Sequence, residues 1–70
     1  NDTLTQEYRR LYMRLKMAIK RHPDDETLQG RFQQLTDGMK DKKKLHKAGD
    51  LSVDDILEWI ASFDNSLNGD

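Results

Sequence analysis

The sequence predicts an all-α domain of three helices, spanning about residues 5–21, 24–45 and 52–66. Three observations predict it. Apolar residues recur at intervals of three and four in each segment, the spacing of one helix face. Nowhere do polar and apolar residues alternate as a strand requires. The punctuating stretches, "RHPDD" and "KAGD", are short, as connections between neighbouring helices are.

In the first helix Leu4, Tyr8, Leu11, Leu15, Ala18 and Ile19 form one stripe, Thr3 suits the N-cap, and Pro23 bars extension. The second opens in "HPDDETL", where a first-turn Pro and the acids Asp24, Asp25 and Glu26 complement the positive end of the helix dipole. Its stripe is Leu28, Phe32, Leu35 and Met39. Gly30 and Gly38 each weaken it by about 1 kcal/mol relative to Ala. After Met39 the pattern slips, because Lys42 and His46 occupy apolar positions. Continuation to Leu45 is expected, with a break near Gly38 as the alternative, and Gly49 is a candidate left-handed C-cap.

The third helix is the clearest. Ser52 is its N-cap, Asp54 and Asp55 lie in the first turn, and Leu51 is placed to staple onto Ile56. Val53, Ile56, Leu57, Ile60, Phe63 and Leu67 make the stripe, Trp59 lies on its flank, and "NSLNGD" is expected to fray.

Seventy residues make one domain, and a chain of that size buries only about 60% of its unfolded surface. There is no Cys to form a disulfide or a thiolate metal site, and His22 and His46 alone cannot build a zinc site. Association with a second copy is the remaining common support, so a homodimer is expected, with Trp59, Phe63, Leu67, Met13 and Met17 as its interface. No apolar run approaches membrane-spanning length. The chain begins at Asn1 without a Met and is read as a piece of a longer protein. An intracellular location is expected, at a membrane if an anchor lies upstream.

A net charge of -1 conceals a polar distribution. Residues 1–50 hold all 12 Lys and Arg against 8 acids (+4), and residues 51–70 hold 5 acids and no base (-5). On the first helix Arg10, Arg14 and Arg21 run along one side of the apolar stripe, and Arg9, Lys16 and Lys20 along the other. Met13 and Met17 project between the rows. A solvated helix usually mixes signs to gain pairs worth about 0.2–0.5 kcal/mol each. This one accumulates like charge, which suits phosphates; the bland account leaves these bases solvated or pairs them with acids elsewhere in the fold, those of the third helix among them. "KDKKKLHK" adds Lys40, Lys42, Lys43, Lys44 and Lys47, flexible point charges suited to tracking a backbone. The candidate nucleic-acid contacts are therefore Arg10, Arg14, Arg21, Lys16, Lys20, Lys42, Lys43 and Lys44. Tyr8 or Tyr12 can stack on unpaired bases, though helical spacing favours Tyr8 as a core residue. No glycine-rich phosphate loop, metal constellation or nucleophile–base pair is present, so neither enzymatic activity, nor a cofactor, nor a small-molecule substrate is expected.

The stretch "LSVDDILEWI" resembles the recognition helix of the homeodomain family, whose pattern is L-S-x-x-Q-V-x-x-W-F-x-N-x-R. Leu51, Ser52, Ile56, Trp59 and Ile60 match it, while Ser62 and Asp64 stand where that family has the Asn and Arg that contact DNA. An acidic helix is repelled by a DNA groove, so the resemblance concerns packing, and contact falls to the first two helices. With the basic "EYRRLYMRLKMAIKR", the chain resembles the C-terminal domains of membrane-anchored replication-organising proteins of small protein-primed Bacillus phages. That resemblance implies helix-turn-helix-like packing, an intertwined homodimer, non-specific binding of single- and double-stranded DNA, and multimerisation on it. It also implies a role in viral DNA replication at the membrane. The alternative is a protein-interaction or oligomerisation bundle without nucleic acid, its acidic third helix docking on a basic surface. A tetratricopeptide-like reading rests on "HPDDETL" alone.

Overall fold

The computed structural model describes residues 2–68 and holds three helices, α1 (Thr3–Arg21), α2 (Glu26–Lys47) and α3 (Val53–Asn68). Each contributes two buried apolar residues four apart: Leu11 and Leu15, Leu35 and Met39, Ile56 and Ile60. A spacing of four stacks two side chains on one face. The core is thus a three-sided stack of six residues, and burying each contributes about 1.5–3 kcal/mol. Leu4, Tyr8, Tyr12, Leu28, Phe32, Leu51, Trp59, Phe63 and Leu67 pack around it, half-buried. No polar or charged residue is buried among the described residues. The domain measures 39 × 23 × 19 Å, its long dimension set by α2, whose 22 residues rise about 33 Å.

The helix ends differ from expectation in ways the caps explain. Asp2, not Thr3, caps α1: its carboxylate accepts the Thr5 N–H at 3.3 Å and the Thr5 hydroxyl at 2.6 Å. Asp25 caps α2 by accepting from Thr27 and Leu28 N–H, so Pro23 and Asp24 stay in the turn and the helix opens at Glu26. Gly38 does not break α2, which runs two residues past Leu45 to Lys47. It then ends in a Schellman motif: Asp50 N–H bonds the Leu45 carbonyl, Gly49 N–H that of His46, and Gly49 takes the left-handed conformation at φ 86°. Ser52 caps α3 as expected, in a reciprocal box. Asp55 N–H donates to Ser52 Oγ at 3.1 Å, and Ser52 N–H to the Asp55 carboxylate at 3.2 Å. Val53, placed on the α3 stripe by spacing, is 40% exposed. The fraying expected over "NSLNGD" falls partly on Gly69 and Asp70, which lie outside the described residues.

The two residues that interrupt the α2 pattern hold α3 in place. His46 Nδ1–H donates to the Leu51 carbonyl at 2.7 Å, tying the end of α2 to the entry of α3. Lys42, half-buried, lays its ammonium over the Trp59 ring at 5.2 Å from the centroid. Beneath it the indole rests on Gly38 so closely that a Cβ there would lie 2.5 Å from Trp59 Cζ2.

The two helical glycines of α2 should therefore respond oppositely to alanine. Gly30 faces open space, and Gly30→Ala should stabilise by about 0.5–1 kcal/mol. Gly38→Ala should destabilise by about 1–3 kcal/mol through overpacking. Urea denaturation followed by helical circular dichroism measures both, and stabilisation by Gly38→Ala would refute the close packing. The Asp2 cap has a pH signature. Its hydrogen bonds to Thr5, the hydroxyl first, hold the carboxyl below its ordinary value of 3.8. A lowered pKa stabilises the fold above that value and the contribution disappears as pH falls through the folded-state pKa. The stability gap between the parent chain and Asp2→Ala should be widest near neutrality and close towards pH 2.

Candidate nucleic-acid interface

The structure divides the α1 cations into two environments. On the α3 side, Arg14 Nη1 meets the Asp64 carboxylate at 2.7 Å, and Arg10 pairs with Glu7 at 3.2 Å. Arg21 is exposed in the last turn, where Lys20 joins it and both suit the negative end of the helix dipole. This side of α1 faces an acidic helix, and Arg14 is committed to it.

The α2 side is different. Arg9, Met13, Lys16 and Lys20 follow intervals of four, three and four along α1, and Thr36, Lys40, Lys43 and Lys47 follow the same intervals along α2. No acid belongs to either row. The rows meet at a groove of about 350 Å³ lined by Thr5, Tyr8, Arg9, Tyr12, Met13 and Lys43. Lys43 Nζ lies 6.0 Å from the Tyr8 ring centroid and Lys16 Nζ lies 5.3 Å from that of Tyr12. The rings are 6.0 Å apart and tilted at 53°, and Tyr12 is braced from below by Phe32 at 5.0 Å. Burial pushes the Tyr8 hydroxyl above its ordinary pKa, with the neighbouring Tyr12 adding to the shift, so it remains a neutral hydrogen-bonding group at physiological pH.

Of the candidates chosen from sequence, the structure brings Lys16 and Lys43 to the α1–α2 face, and Lys20 follows Lys16 in the same row by helical spacing. Lys42 sits on the α3 side against Trp59, Lys44 is exposed further round α2, and Arg10 and Arg14 engage carboxylates. Arg9, which the sequence reading puts in a basic row but not among the contacts, lines the groove, and Lys40 and Lys47 share the Lys43 row by helical spacing. The shared spacing of the two rows was the available signal. The candidate interface residues Trp59, Phe63 and Leu67 all pack against the chain's own core, with Trp59 and Phe63 rings 5.8 Å apart. Met13 and Met17 are 47% and 51% exposed.

A second groove, of about 320 Å³, lies between Arg14, Leu15 and Ala18 of α1, Leu28 and Arg31 of α2, and Leu67 of α3. Among the described residues no group of three or more His, Asp or Glu is placed to hold a metal ion. No helix there is long and apolar enough to cross a membrane.

The Arg14–Asp64 pair is partly solvated, with side chains 49% and 24% exposed, so its contribution is modest. A double-mutant cycle on Arg14→Ala and Asp64→Ala should give a coupling of about 0.2–1 kcal/mol that shrinks as salt is added. A coupling well above ~1 kcal/mol that salt leaves unchanged would contradict a partly solvated pair. No protein-family model, curated protein or solved structure matches the chain.

Proposed function

We propose that this chain is a nucleic-acid-binding module that holds the phosphate backbone of single- or double-stranded DNA without reading sequence. One observation carries the reading. Arg9 and Lys43 line the α1–α2 groove with Lys16 beside them, and helical spacing puts Lys20, Lys40 and Lys47 in the same two acid-free rows, while Asp64 of α3 engages Arg14 on the opposite side of α1. Flexible Lys side chains without carboxylate partners neutralise phosphates and release counterions, and they carry little base preference. Arg10 and Arg21 lie at the rim, with Arg10 released at small cost from an exposed pair. The acidic α3 faces away from the nucleic acid and serves packing.

Helix-turn-helix-like packing and an intertwined homodimer, implied by the resemblance noted above, belong to the same proposal. The exposed Met13 and Met17 support a contact surface on α1. A setting in viral DNA replication at a membrane comes from that resemblance alone. A second reading, a self-associating bundle without nucleic acid, is favoured by the opposed charges of α1 and α3. In a head-to-tail contact these would attract.

Titration of unrelated duplexes at about 50 and 200 mM salt separates the readings. If six phosphates are engaged, affinity should fall about a thousandfold over that range, whatever the sequence. Arg9→Ala and Lys43→Ala should each reduce the salt slope by about 1, and Arg14→Ala should leave it unchanged. Salt-independent or strongly sequence-selective binding would contradict the proposal. Cross-linked oligomers that form without DNA, with no binding at the lower salt, would establish the second reading instead.

A further inference from the structure

We propose that the groove between Arg9 and Lys43 is a stacking site for one unpaired nucleobase, which makes the α1–α2 face selective for single-stranded nucleic acid. The inference rests on the nucleic-acid reading above and assigns that face a substrate class. Its floor is the half-buried pair Tyr8 and Tyr12, its lip is the exposed Met13, and the ionic groups at its mouth are both cations. The Thr5 hydroxyl is committed to the Asp2 cap. An occupant with a flat apolar body and negative charge on either side satisfies all of this, and a nucleotide in a flexible strand has that form. In a duplex the same base is stacked inside the helix and does not reach the groove.

The geometry specifies how the base would enter. At 53° and 6.0 Å the two rings leave no parallel slot between them, so the base lies on one ring face with the other ring at its edge. Both faces are presently covered by ammonium groups, Lys16 over Tyr12 and Lys43 over Tyr8. An incoming base displaces an ammonium, and the four-carbon stem lets it swing to the flanking phosphate. The exchange gives up an exposed cation–π contact for base–aromatic stacking, the stronger of the two per contact, and adds a phosphate pair. Phe32 holds the Tyr12 ring from behind, so the platform is formed before the strand arrives.

The test compares three probes at low salt: an oligothymidylate, an abasic strand of the same length, and a duplex. The strand carrying bases should bind about tenfold more tightly than the abasic strand. Tyr8→Leu and Tyr12→Leu keep apolar bulk but remove the ring, and should bring that ratio close to one while duplex affinity is unchanged. Tyr12→Phe should preserve it. Equal affinity for base-bearing and abasic strands overturns this inference and leaves the phosphate reading standing. Binding of none of the three probes overturns both. Should a Leu variant unfold by circular dichroism, the ratio measured on the parent chain decides alone.

Discussion

The contact of Trp59 with Gly38 is the constraint on which the rest of the structure depends. An indole ring can lie flush on a helix backbone only where the Cβ is missing, and here a Cβ would fall 2.5 Å from the ring. That approach lets α3 descend far enough for Ile56 and Ile60 to close the six-residue core. It also fixes the stations above and below. Lys42, one turn on from Gly38, covers the indole, and His46, one turn further, bonds the Leu51 carbonyl. A glycine that weakens α2 as an isolated helix is thereby repaid by tertiary packing, which routinely overrides propensity.

Seating α3 has an electrostatic consequence. With the helix held at this depth, Asp64 reaches Arg14 and neutralises part of the α3 side of α1. Among the described residues the other side receives no carboxylate, and it meets Lys43 of α2 instead. Packing thus sorts the cations of α1 into a committed side and an available side. The long-range field of the whole chain, near neutral at net charge -1, is less informative than this local division. The basic face is also where aromatic rings approach the surface, because Tyr8 and Tyr12 sit at the edge of the α1–α2 seam rather than in its centre.

Much of this was legible in the residues. Three helices, the Ser52 cap and the left-handed Gly49 follow from spacing and local capping chemistry, whereas the continuation of α2 through Gly38 stood against a break there until the fold decided it. Local signals competed at the other caps. Asp2 and Asp25 stand beside alternative capping or first-turn residues, and which oxygen takes the orphan N–H groups is decided by backbone entry geometry. The interruption at Lys42 and His46 read as a loss of amphipathicity. In the fold, the Lys42 ammonium lies over the Trp59 ring and the His46 imidazole bonds the Leu51 carbonyl, so both serve the α2–α3 junction.

The sequence by itself determined the helical class, the approximate helices, the apolar stripes from which the core is drawn and the polarity of charge along the chain. Each depends on side chains a few residues apart, whose relations a helix fixes without reference to the rest of the molecule. Only the tertiary structure decided which cations are occupied, that Trp59 is seated within its own chain, and that Arg9 and Lys43 border one groove. Those facts join residues up to 50 positions apart, as Arg14 and Asp64 are. Helix-to-helix distance, and not helical periodicity, sets whether such groups meet.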